Sequence, residues 1–131
     1  MKKTNGFSLV ELMVVIGIAA ILAAVGMPIY TNLTMKNNRH EATAELISIA
    51  SAADNYEIRN GDFPTTLSSF WHQTTTDNGY YTMAYTHTAN ATKFTITATA
   101  IGTQSGDTAC SVIEYEIDGA VSNKTPTDCW A

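Results

Sequence analysis

Basic charge is scarce in this chain. Seven Lys and Arg stand against twelve Asp and Glu, a formal net charge of −5 over 131 residues. That balance argues against general nucleic-acid binding through a positive surface. Histidine is scarce too. His40, His72 and His87 share no helical or hairpin spacing that would gather metal ligands. There is no Gly-rich phosphate loop and no nucleophile elbow. Asp107 and Asp118 lack EF-hand spacing and read as turn carboxylates. No catalytic residue, metal or cofactor is therefore expected. Large apolar residues thin out after Tyr30, where Thr, Ala, Ser and Asn dominate. A small domain with so thin a core often needs a staple.

What the chain does have is one long apolar stretch, Gly6 to Tyr30, reading GFSLVELMVVIGIAAILAAVGMPIY. From Phe7 to Met27 its only polar residues are Ser8 and the carboxylate Glu11. As a helix it would be about 30 Å long, enough to cross a bilayer core. Glu11 sits about one turn in, where a carboxylate is expensive and so usually functional. Lys2 and Lys3 precede the run, and no further Lys or Arg occurs until Lys36. By the positive-inside rule the N-terminus stays cytoplasmic and the remainder is exported. On that side a disulfide is permitted, and Cys110 and Cys129 allow one intramolecular pairing; the alternative is two separate buried thiols. A secretory signal cleaved near Ala19 to Ala24 is a competing reading, and so is a plain membrane anchor. Glu11 is out of place in either.

The stretch KKTNGFSLVELMVVIGIAAILAAVGMPIY resembles the N-terminus of a type IV prepilin. The match covers the basic leader, Gly6 before the cut, Phe7 as the new N-terminus, Glu11 as its fifth residue, and Pro28. The resemblance implies a prepilin peptidase that cleaves between Gly6 and Phe7 and methylates the Phe7 amine. It implies an inner-membrane subunit that polymerises with other pilins on an assembly platform into an extracellular fibre, with Glu11 acting in assembly. GTQSGDTAC and TDCWA also resemble the C-terminal region of short type IVa minor pilins with a disulfide-closed end. Removing Lys2 and Lys3 with the leader takes the net charge from −5 to −7.

Beyond the run, Pro28 lacks an amide hydrogen for the Ala24 carbonyl and should kink or loosen the helix, helped by Gly26. The helical period continues in Ala42, Leu46, Ile49, Ala53 and Tyr56, with Ala50 on the same face. Gly61 and Pro64 stop it near Arg59. Asp62 to Asn78 reads as a loop with a helical turn at Thr66 to Phe70, pinned by Phe63, Leu67, Phe70 and Trp71. After Gly79 the period becomes two: Tyr81, Met83, Tyr85; then Phe94, Ile96, Ala98; then Ile113, Tyr115, Ile117. Turns are expected at Thr88 to Thr92, Gly102 to Asp107 and Asp118-Gly119, with a short fourth strand at Ala120 to Ser122. The expected fold is α+β: a long N-terminal helix on a small antiparallel meander whose outer face is rich in Thr. The expected divisions are a leader, 1–6; an apolar assembly helix, 7–30; and an exported globular domain, 31–131.

Two rivals share this scaffold. One is a type II secretion pseudopilin, against which the cysteine pair and the absent calcium pattern weigh. The other is a DNA-binding or adhesive minor pilin. Its basic residues would be only Lys36, Arg39, Arg59, Lys93 and Lys124, and Lys36, Arg39 and His40 also suit a solvated face, lipid headgroups or intersubunit salt bridges. Asn32-Leu33-Thr34, Asn90-Ala91-Thr92 and Asn123-Lys124-Thr125 match an N-glycosylation pattern short enough to recur by chance.

Overall fold

The computed structural model describes residues 6–88 and 91–131. The leader positions Met1 to Asn5, and Ala89 and Asn90 with the Asn90 glycosylation pattern, lie outside the described residues. One helix, α1, runs Leu9–Asn60. Four strands follow: β1, Tyr81–His87; β2, Lys93–Ala100; β3, Val112–Asp118; and β4, Val121–Thr125. They form one antiparallel sheet in the order β1-β2-β3-β4. The chain divides into two compact units, one up to Thr34 and one from Met35.

In the second unit the apolar stripe of α1 forms one side of the core. Ala42, Leu46, Ile49, Ala50 and Ala53 are buried, joined by Asn38 and Thr43. The inward residues of the sheet form the other side: Tyr81, Met83 and Tyr85 of β1, Phe94, Ile96 and Ala98 of β2, and Ile113 of β3. Register fixes this face. Met83 pairs with Ala98 and Tyr85 with Ile96, while Ala98 and Ile96 pair onward with Ile113 and Tyr115. A one-residue slip would turn every one of these side chains to the opposite face. Full burial of a side chain such as Leu46 or Ile113 contributes about 2 kcal/mol. The loop aromatics close one end: Phe63 packs on Phe94 at 5.1 Å and Phe70 on Tyr85 at 5.1 Å between ring centroids.

The helix stops as expected. Gly61 takes φ +84°, in the left-handed region, and its amide donates to the Glu57 carbonyl at 2.7 Å. The expected turn at Thr66 to Phe70 is a 3₁₀ turn at Leu67–Ser69. The fourth strand differs from expectation: it is Val121–Thr125 rather than Ala120 to Ser122, and the last turn is Gly119-Ala120, one residue later. All five β4 residues are exposed, so no buried alternation marks the strand. The ladder to β3, from Asp118 with Val121 to Glu114 with Thr125, holds it in place.

Candidate functional site

The first unit presents an unburied apolar surface. Phe7 is 82% exposed, and residues from Leu9 to Leu33 stay exposed along α1. The helix is long and apolar enough to cross a membrane, and none of that stretch is buried within the chain. Glu11 is exposed in the first helical turn, four residues after Phe7. A carboxylate there is favoured by the helix dipole. Pro28 lies inside α1, which is helical on both sides of it. Nearby, the Thr31 hydroxyl donates to the Met27 carbonyl at 3.0 Å and Thr34 to that of Tyr30 at 2.9 Å.

In the second unit, residues far apart in sequence meet in a buried polar node. The Arg39 guanidinium pairs bidentately with Asp107, one contact being Nη2 to Oδ1 at 2.6 Å. That bond holds Arg39 above its ordinary range, against the opposing effect of burial. Gln104, 1% exposed, accepts from Asn38 Nδ2 at 2.9 Å. Its Nε2 lies within 3.2 Å of the Met35 carbonyl, the Tyr81 hydroxyl and Asp107 Oδ2, three acceptors for two hydrogens. The Tyr81 hydroxyl donates to the Cys110 carbonyl at 3.0 Å, and burial raises its phenol. Cys110 is bonded to Cys129, so the expected disulfide is present. The node therefore ties α1 to the disulfide-closed segment. Asp107 reads from sequence as a turn carboxylate; its partner is 68 residues away, and no local pattern marks that pairing.

Cations on the sheet sit among acids. Lys93 pairs with Glu116 at 2.8 Å. Lys124 lies over the rings of Trp130 at 4.9 Å and Tyr115 at 5.8 Å. It borders a groove of about 450 Å³ that Glu114, Glu116 and Asn123 also line. Asp118 accepts from the Thr92 hydroxyl at 3.1 Å, a turn role. His87 packs on Phe63 at 5.5 Å between ring centroids, within the aromatic end of the domain.

An exposed apolar N-terminal helix joined to a disulfide-closed antiparallel meander defines a pilin-class subunit. The "Prokaryotic N-terminal methylation motif" matches residues 1–27, and the family described as "Type IV minor pilin ComP, DNA uptake sequence receptor" matches residues 28–114. The chain belongs to that minor pilin family. A solved type IV pilin from Shewanella oneidensis superposes with a TM-score of 0.55 at 26% identity, covering 74% of this chain and 98% of that one. A fimbrial protein of Neisseria meningitidis (strain Z2491) is 37% identical over 73 residues, covering 56% of this chain and 43% of the relative. The type II secretion system core protein G of Klebsiella pneumoniae is 35% identical over 66 residues, covering 50% and 47%. Prepilin peptidase-dependent protein D of Escherichia coli K12 is 38% identical over 65, covering 50% and 44%. The chain thus spans about half the length of the curated relatives it matches. The long helix and four-stranded sheet are the type IV pilin fold.

Proposed function

We propose that the chain is a structural subunit of a type IV pilus. It is held in the inner membrane by the 7–30 helix with its leader cytoplasmic, cut between Gly6 and Phe7 by a prepilin peptidase, and methylated on Phe7. It then polymerises with other pilin subunits on the assembly platform into an extracellular fibre. The observation that carries this reading is the wholly unburied apolar stretch with a single carboxylate, Glu11, most of it within the methylation-motif match over residues 1–27. Such a surface needs a membrane first and neighbouring apolar helices afterwards. Glu11 would pair with the Phe7 ammonium of a neighbouring subunit, which fixes register because a misplaced subunit leaves a carboxylate unpaired in apolar surroundings. Pro28 would loosen the helix by leaving the Ala24 carbonyl without its amide partner.

A second reading, that this minor pilin works in DNA uptake, is favoured by the family match over residues 28–114. Deleting the gene tests the two together. Loss of both fibres and DNA uptake supports only a structural role. Loss of uptake with fibres intact supports the second reading.

A further inference from the structure

The outer edge of β1 is covered by the loop that precedes it. The Thr76 amide donates to the Tyr81 carbonyl at 3.0 Å, and the Met83 amide to the Thr74 carbonyl at 2.8 Å. Thr76, 2% exposed, also accepts on its hydroxyl from the Tyr80 and Tyr81 amides. Glu41 fastens this cap to α1. Its Oε1 accepts from the Asn78 amide at 2.9 Å and its Oε2 from Asn78 Nδ2 at 2.7 Å. Hydrogen bonds to an ionised carboxylate are the strong kind, so the pair acts as a latch.

Asn78 is followed by Gly79, whose φ of +72° favours glycine and whose amide closes a turn by donating to the Thr76 carbonyl at 2.8 Å. A glycine after an asparagine is also what lets a backbone nitrogen reach the side-chain amide with least hindrance. The Gly79 nitrogen attacks Asn78 Cγ. The Cγ–Nδ2 bond breaks, and ammonia leaves with the proton that the Gly79 nitrogen gives up. Water then opens the succinimide ring to aspartate or isoaspartate; Asn78 and Gly79 are both exposed to it. With the latch closed, both reacting groups are held, Nδ2 by Glu41 and the Gly79 amide by Thr76. Cyclisation therefore runs from the open latch.

We propose that Asn78 is a deamidation site gated by Glu41, and that its conversion irreversibly releases the cap from β1. The product replaces the donor Nδ2 by an oxygen that faces Glu41 Oε2. Two carboxylates then meet at hydrogen-bond distance, beside Asp77 and one helical turn from Glu45, which the charges of Asp77 and Glu41 already reach. Like charges so close oppose each other's ionised forms, and the contact between the loop and α1 is lost. Without the cap, β1 presents unpaired N–H and C=O groups from Tyr81 to Met83, a template for another strand. Among the described residues Asn60-Gly61 is the same dipeptide in a different setting. Its Nδ2 donates to the Tyr56 carbonyl and the Gly61 amide to that of Glu57, so backbone carbonyls of α1 hold it rather than a carboxylate.

The test incubates the full chain in nonionic-detergent micelles at mildly alkaline pH and follows the peptides bearing Asn60 and Asn78 by mass spectrometry. The expected result is amide-to-acid conversion at Asn78 that is about tenfold faster in Glu41→Ala, with the rate at Asn60 unchanged. An unchanged Asn78 rate in the variant overturns the gating. Equal acceleration at both sites overturns it too, because that reports general unfolding. No conversion at Asn78 in either protein overturns the site itself. Amide exchange gives a second arm. Asn78→Asp should lower protection of the Thr76 and Met83 amides about tenfold while β2 keeps its protection. Adding Glu41→Gln returns a donor opposite the new carboxylate and should restore the cap. Unchanged protection in Asn78→Asp overturns release of the cap, and absence of rescue overturns Glu41 as its partner.

Discussion

Glu11 and Gln104 are two polar residues with opposite placements. Glu11 is exposed in an apolar helix, and its proposed partner lies on a neighbouring subunit; Gln104 is buried, and its partners lie within the chain. Two unit charges about 4 Å apart at an effective dielectric of about 20 attract by roughly 4 kcal/mol before desolvation. Glu11→Ala is therefore expected to leave leader removal and membrane abundance unchanged while incorporation into fibres falls sharply. Immunoblots of membrane and sheared-fibre fractions check this, and normal incorporation contradicts it. Arg39→Ala leaves Asp107 buried and unpaired, and Arg39 is partly exposed, so the expected loss of stability is about 2 kcal/mol. Chemical denaturation checks it, and a loss below about 0.5 kcal/mol would show the pair to be idle. Glu45 adds a pH dependence. Burial raises its carboxyl, and Asp77 and Glu41 add to the rise. A raised folded-state value means the folded state binds more protons, so this contribution to stability is present at low pH and is lost as pH rises through the folded value. Glu45→Gln should thus raise Tm at neutral pH and have little effect under acid conditions; a lower Tm at neutral pH contradicts the assignment.

Elements were legible where burial imposes a period. Tyr81, Met83 and Tyr85 announce β1, and Ala42, Leu46, Ile49 and Ala53 announce the packed face of α1, because each stripe must meet the core. β4 has no buried residue, and its bounds follow from pairing with β3 that leaves no trace in its own pattern. The node around Gln104 was not legible for a related reason. Its partners, Asn38, Arg39 and Tyr81, lie on two other elements, and a lone Gln in GTQSGDTAC looks like any turn residue. The cysteines were legible because two cysteines allow only one intramolecular pairing. Their bond closes a segment of about 20 residues, for which chain entropy gives about 3 kcal/mol. Cys110→Ser/Cys129→Ser should lower stability by about that amount. It should also speed amide exchange in β4 and at Thr127–Trp130 more than in β1 and β2. Uniform protection across the sheet would contradict this local role.

For the whole molecule, the two units differ in burial: the N-terminal stretch of α1 is exposed and apolar, and the second unit holds the core. Under the proposed function, membrane, peptidase and fibre would all act on the stretch from Gly6 to Tyr30. The first residue of the mature protein is the most direct test of leader removal between Gly6 and Phe7. Fibres sheared from cells, dissociated and read by mass spectrometry should yield a chain that begins at N-methylated Phe7. A chain beginning at Met1, or within Ala19 to Ala24, would contradict it.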